Sequence, residues 1–441
     1  MSTVRALKIR RGAVDVGTLF DLEDGRVYFQ FDDSYIADPA RPILTVSILG
    51  ETEEETKAQL VKPPAELRFG GGSRHLPVFF RNLLPEGILR RQLIADAGIE
   101  VDDEMALLAY CGEDLPGDVS AVHEQLDDAR MGKLLTGGHD SFEFSSHQLP
   151  TPQAVSLSGV QPKIDLVFEP GGRYVMRSKK GVTGAHFIGK LPASDYEGLP
   201  EVELLSMRLA HAAGVTVADT ELLPLHAIAD KLPFTLRDDA RNFLLVRRFD
   251  RDAPTPNGRL HMEDFAQALN IRPEDKYRTD YATLGLALLE VSSHPDDDVI
   301  ELLRRIKVNE LLGNFDAHAK NFSLLFGLDG RPRLSPAYDI VAYSAYISGG
   351  GHALRFFSEQ KSVEMLTPKL LRSLANTWEM AEVRLRAVLQ ETVARAVATW
   401  PDLIAASLIA KGQKKRLREQ FEGHHDVQSL RRRKRAVVSE P

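Results

Sequence analysis

Apolar and polar positions partly alternate through the first 35 residues. Val14, Val16 and Leu19, then Val27, Phe29 and Phe31, stand either side of Asp24-Gly25, a hairpin turn signal. From Leu76 to Gly98 the spacing becomes helical, with Leu84, Ile88, Leu89, Leu93 and Ile94 in step and Pro85 near the start. A stretch rich in Gly, His, Ser and Pro, 136–153, reads as a boundary. Beyond it, Lys163 to Phe168 and Arg173 to Met176 flank the turn sequence Glu169-Pro-Gly-Gly172. His186 to Leu191 and Asn242 to Phe249 are further expected strands, with a helix at Glu201 to Ala213 between them. From Leu260 the pattern turns mostly helical. Val299, Leu302, Leu303, Ile306 and Leu311 make one apolar stripe, and Thr367-Pro368 is an N-cap signal opening a helix-rich end. The pattern predicts an α+β chain with units 1–150, 151–255 and 256–410 and a tail at 411–441. A cleft is expected between its strand-rich and helix-rich halves.

Length and composition narrow the class. At 441 residues the chain is about three domain-lengths. With 43% hydrophobic and 27% charged residues it reads as an ordinary soluble protein. The single cysteine, Cys111, excludes an intramolecular disulfide and a cysteine-rich zinc cluster, and fits a reducing compartment. The opening residues lack the apolar core of a signal peptide, and no apolar run is long enough to span a bilayer. The expectation is a cytoplasmic protein with no membrane partner. A net charge of −8 argues against a chain-wide nucleic-acid coat. Residues 401–441, however, hold ten Lys/Arg against five Asp/Glu and end in the basic run 431–435. That run reads as a solvated, mobile tail, with a phosphate backbone or an acidic partner as the alternative.

Candidate chemistry gathers in Asn314-Phe-Asp-Ala-His-Ala-Lys-Asn321. Asp316 and Asn321 stand five apart, the spacing of a kinase catalytic loop in which the Asp receives the substrate hydroxyl proton and the Asn oxygen binds magnesium. Asp339 follows 18 residues later, where a second magnesium ligand could return beside that loop. His318 reads as a hydrogen-bonded structural residue, and Lys320 as either a phosphate contact or a solvated charge. Upstream, Ser156-Leu-Ser-Gly-Val-Gln-Pro-Lys163 is a candidate phosphate loop, Gly159 permitting close backbone approach and Lys163 supplying charge. Lys190 lies on an expected strand, and Glu203 opens a helix 13 residues on, the order of the ion pair that holds kinase phosphates. Arg247-Arg-Phe-Asp250 would sit as a hinge beneath adenine. Each signal alone is common. Six in this order are not.

The chain resembles the HipA-type serine/threonine kinase toxins of bacterial toxin–antitoxin modules. The resemblance rests on 156–163, His186 to Pro192, Val246 to Arg251, Met262 to Leu269, Asp316 to Ser323 and Pro336 to Ile340. It extends to Arg81 to Gly87 and Gly112 to Asp118 near the N-terminus. It implies a protein-kinase-like fold with a β-rich N-terminal part and a helical C-terminal lobe, and use of ATP and Mg²⁺. By the same resemblance Asp316 is the base, and Asn321 and Asp339 hold magnesium. Ser158, Gly159, Val160, Gln161, Pro162, Lys163 and Lys190 hold phosphates, with His318 and Lys320 beside them. Arg247, Arg248 and Phe249 meet adenine through the backbone, Asp250 lies near the ribose, and Ser156 (or Ser158) is an autophosphorylation site. Implied partners are a HipB-like helix-turn-helix antitoxin, operator DNA through it, and a protein substrate, usually an aminoacyl-tRNA synthetase. Arg247 departs from the family, which in some members is acidic there. The competing readings are a small-molecule kinase of the aminoglycoside or choline type and an antitoxin-binding co-repressor.

Overall fold

A computed structural model describes residues 5–125 and 161–438, apart from 23, 73, 170–171, 177–185, 230–231, 233–235, 237–239, 350–351 and 361–364; side chains are described to 433. The 136–153 boundary and Ser156, Ser158, Gly159 and Val160 lie outside these residues. Among the described residues no helix is long and apolar enough to cross a membrane.

The N-terminal unit is an antiparallel sheet ordered β3-β2-β1-β4, formed by β1 (Arg5–Arg11), β2 (Val14–Asp21), β3 (Val27–Phe31) and β4 (Val119–His123). Its apolar face carries Leu7, Ile9, Val16, Leu19, Phe29 and Phe31. Against it stand α1 (Asp33–Ala37), α2 (Glu53–Val61), α3 (Ala65–Arg68), α4 (Val78–Leu83), α5 (Gly87–Ala97) and α6 (Glu104–Cys111). The single helix expected over 76–98 is therefore two. Pro85 forces Leu84 into an extended conformation, ψ 146°, and the turn that results carries Glu86 outward from the sheet.

The second unit is an antiparallel sheet ordered β6-β5-β7-β9-β8, from β5 (Lys163–Phe168), β6 (Tyr174–Met176), β7 (His186–Lys190), β8 (Thr220–Pro224) and β9 (Asn242–Arg247), with α7 (Leu199–Ala212) packed on it. The expected strand over 242–249 stops at Arg247, where the chain turns toward the helical lobe.

That lobe is not purely helical after residue 260. A small sheet, β10 (Met262–Asp264), β11 (Ser323–Phe326) and β12 (Pro332–Leu334), brackets the candidate catalytic loop, and α8 (Phe265–Ala268) follows β10 directly. Strands of three or four residues are too short to show an alternating pattern. Around it pack α9 (Tyr281–Val291), α10 (Pro295–Leu312), α11 (Pro368–Thr377) and α12 (Glu382–Ala406). Helix α10 opens on Pro295 with Asp296, Asp297 and Asp298 in its first turn, and it stops at Gly313, whose φ of +65° ends the helix just before the loop. At α11 the Thr367 side chain accepts the Leu370 N–H, as an N-cap does.

The basic end is a correction. It is not a solvated tail but two helices, α13 (Lys411–Gly423) and α14 (His425–Val438). Leu417, Phe421 and Val427 are buried in one core with Trp400 and the leucines of α7, while Arg432 and Arg433 stay exposed. Asp426 pairs with Lys307 at 2.8 Å and His424 with Glu310 at 2.9 Å, fixing both helices to α10.

Candidate active site

Lys163 and Lys190 are directly opposed residues of β5 and β7, so their side chains leave the same face of the sheet. Lys190 Nζ donates to Glu203 Oε1 on α7 and to Asp339 Oδ1, and Lys163 Nζ lies 3.4 Å from Asp339 Oδ2. Burial disfavours the Lys190 charge, but Asp339 and Glu203 outweigh it and raise the ammonium. Burial likewise pushes Asp339 up, and Lys163 and Lys190 reverse that, holding its carboxyl well below the usual range. Asp339 has φ +58°, an unusual conformation for a residue with a side chain and one that aims its carboxylate at the lysines. Glu203 Oε2 and Gln161 Nε2 are buried with no hydrogen-bond partner among the described residues, so the pocket holds polar capacity beyond its own ion pairs.

The loop after α10 is held by its own backbone and side chains. Asn314 Oδ1 accepts the Asp316 N–H at 3.2 Å, Asn321 Oδ1 accepts the His318 N–H at 3.1 Å, and β11 then carries the chain away. Asp316 is 7% exposed and accepts the Tyr277 hydroxyl. Burial pushes its carboxyl up to about 6, with Tyr277 and Lys276 opposing and the nearby Asp339 charge reinforcing the rise. Burial, with Lys276, lowers the His318 imidazole to about 3, so it is neutral; its ring meets Tyr277 edge-on at 5.1 Å.

Several residues expected near nucleotide have protein partners of their own. Lys320 turns to the N-terminal unit, 2.6 Å from Glu86 and 3.1 Å from the Asn82 carbonyl, rather than toward the phosphate pocket. Asp250 is 2% exposed and accepts from Gly117 N at 2.8 Å and from both Arg248 and Arg251, which makes it a joint between units. The Arg247 side chain is exposed on Asp252, and the N–H groups of Arg247 and Arg248 already donate to the carbonyls of Asp219 and His186. Phe249 packs 5.8 Å from the ring of Tyr338, one residue before Asp339. Sequence reasoning gave no role to Tyr277, Lys276 or Glu86: the first two lie in an irregular segment with no periodic signal, and Glu86, though inside the family-like segment Arg81 to Gly87, was not singled out.

Residues 155–400 match the HipA-like C-terminal domain, and residues 7–122 match the HipA N-terminal domain. The chain belongs to the HipA family. The first of these stretches contains Lys163, Lys190, Glu203, Asp316, Asn321 and Asp339, and the second contains Glu86. Within the family the chain is 35% identical over 404 residues to the putative kinase Y4dM of Sinorhizobium fredii, covering 91% of this chain and 92% of that one. It is 24% identical over 310 residues to the serine/threonine-protein kinase toxin HipA of Shewanella oneidensis, covering 65% and 67%. In three dimensions it is similar to a chain from the Shewanella oneidensis complex of HipA, HipB and operator DNA, with TM-score 0.66, 20% identity, and coverage of 96% and 99%. The fold is thus the α+β, kinase-like architecture of the family.

Proposed function

We propose that this chain is an ATP-dependent protein-serine kinase and the toxin of a toxin–antitoxin pair. The observation that carries the reading is Lys190 bridging Glu203 and Asp339 with Lys163 alongside, beside a buried Asp316. A buried lysine held by carboxylates from a helix and a loop is a preorganised cationic site for phosphate oxygens. Pro162 and Gln161 lead into Lys163 at its edge, and Phe249, packed on Tyr338 next to Asp339, offers an apolar ring near the cations for an adenine. Asp339 and Asn321 offer a carboxylate and an amide oxygen, hard donors that fit Mg²⁺, and the Asn321 oxygen keeps one lone pair after accepting from His318. When bound, Mg²⁺ would neutralise phosphate charge.

Asp316 accepts the proton of the attacking serine hydroxyl. With its carboxyl pushed up to about 6 it is mostly ionised at pH 7, yet more basic than an ordinary aspartate and better suited to take that proton. His318, neutral and packed on Tyr277, fixes the loop without adding charge. Phosphorylation of Ser156 (or Ser158) would add roughly two negative charges five to seven positions before Lys163 in the chain, charge that would compete with ATP for the same cations. The relative named as a toxin and the likeness to a chain from a HipA, HipB and operator DNA complex support a HipB-like antitoxin, with operator DNA reached through it. An aminoacyl-tRNA synthetase in the bacterial cytoplasm is the proposed substrate.

The test is intact mass of phosphatase-treated chain after incubation with ATP and Mg²⁺, with Asp316→Gln in parallel, followed by peptide mapping. A phosphate on the 156–158 segment, absent from the variant, supports the reading. No transfer to the chain itself or to any protein of a bacterial extract overturns it.

A further inference from the structure

The N-terminal unit does more than stand beside the kinase lobes. Asn82 Nδ2 donates to the Ile271 carbonyl at 2.9 Å, and Arg81 pairs with Glu274 at 3.1 Å. Glu86, on the turn made by Pro85, meets two ammonium groups at once, Lys276 at 3.1 Å and Lys320 at 2.6 Å. Both lysines are largely buried, their side chains 6% and 13% exposed, while Glu86 itself is 39% exposed at the rim. These lysines bracket the catalytic base. Lys320 is in the Asp316 loop; the carbonyl of Lys276 accepts the Ala319 N–H at 3.1 Å; and the next residue, Tyr277, donates its hydroxyl to Asp316. Without Glu86 two buried like charges would face each other beside the base, and the strap at 271–277 would lose its anchor to the loop.

We infer that Glu86 is a positioning residue for catalysis: the N-terminal unit clamps the strap carrying Tyr277 to the Asp316 loop, so that a residue of another unit sets the placement of the base. The inference rests on the kinase reading above. A misplacement of even an ångström at a base is worth up to about 10²-fold in rate, so an effect of about tenfold is expected from a clamp that loosens without breaking.

The experiment uses the full chain and ATP with Mg²⁺. Glu86→Gln should lower the maximal phosphoryl-transfer rate about tenfold, with half-saturating ATP within twofold of wild type, and Glu86→Asp should restore part of the loss. Combining Glu86→Gln with Lys276→Met should cost no more than the worse single change, because both cut the same contact. Amide hydrogen exchange, read without activity, should quicken in the peptide spanning 314–322. A Glu86→Gln chain with a maximal rate within twofold of wild type, or with unchanged exchange at 314–322, overturns the clamp. If that variant does not fold, Lys276→Met, which cuts the same contact from the other side, takes its place, and a maximal rate within twofold of wild type overturns the clamp there too. An inactive wild-type chain instead overturns the kinase reading, and the exchange measurement then decides the clamp alone.

Discussion

Lys190→Met is the sharpest stability test of the proposed phosphate site. Methionine keeps the length of the side chain and removes its charge. Glu203, 1% exposed, then loses the donor that neutralises it, and Asp339 keeps only Lys163 at 3.4 Å. Removing one partner of a buried ion pair costs about 3–5 kcal/mol. Asp339 remains near a second lysine and its side chain is 21% exposed, so the lower end, about 3 kcal/mol, is expected. The sign of the pH dependence follows from Asp339. Its folded-state carboxyl is held low, so its stabilisation is present above the ordinary carboxylate range and disappears as pH falls through that range and below. The gap between wild type and variant should therefore narrow in acid. Urea unfolding at neutral and acidic pH, followed by tryptophan fluorescence, measures this, since Trp400 shares a core with Leu199, Val202 and Leu205 of the helix that carries Glu203. Lys190→Met with Glu203→Leu should recover at least half of the loss, because it removes the stranded charge as well. A single variant within about 0.5 kcal/mol of wild type at neutral pH, or a double variant worse than the single, would refute the reasoning.

Other outcomes are equally open to measurement. Asp316→Asn should reduce phosphoryl transfer by about 10²–10⁴-fold while calorimetric ADP binding stays close to wild type. Tyr277→Phe removes a hydrogen bond that lowers the Asp316 carboxyl, so the acid limb of the rate profile, near pH 6 in wild type, should move up by about one unit. Phe421→Ala should cost about 3–5 kcal/mol in thermal or urea unfolding, since Phe421 is 1% exposed and its ring packs, tilted, 4.7 Å from that of Trp400. A merely solvated tail would leave that unfolding unchanged.

What the sequence made legible was local or ordered along the chain. The Asp24-Gly25 turn joins β2 to β3, Thr367 caps its own helix, and the strand lysine followed by a helix carboxylate brings Lys190 to Glu203. The residues read differently were those whose partners are distant. Lys320 answers to Glu86, 234 positions away, and Asp250 to Gly117, 133 away, and no periodicity relates such pairs. At the C-terminal end the charge count overshadowed a weaker apolar stripe at Leu417, Phe421, Val427 and Leu430, although packing of that stripe is what places the helices.

The joint at Asp250 constrains how the molecule can breathe. The connection between the five-stranded sheet and the helical lobe, residues 248–251, is stitched to the N-terminal unit: Asp250 accepts from Gly117, and Arg251 donates to the carbonyls of Gly117 and Leu115. The same unit grips the helical lobe independently, through His261 on the Leu44 carbonyl and Glu263 on the Val46 N–H. It spans the hinge as a splint spans a wrist. Wholesale rotation about 248–251 would have to strain buried hydrogen bonds at the hinge itself, and the helical lobe cannot turn away from the N-terminal unit without breaking more. The edge strand β6, paired among the strands only with β5, carries none of these ties and is the part of the sheet freest to move as a ligand enters or leaves.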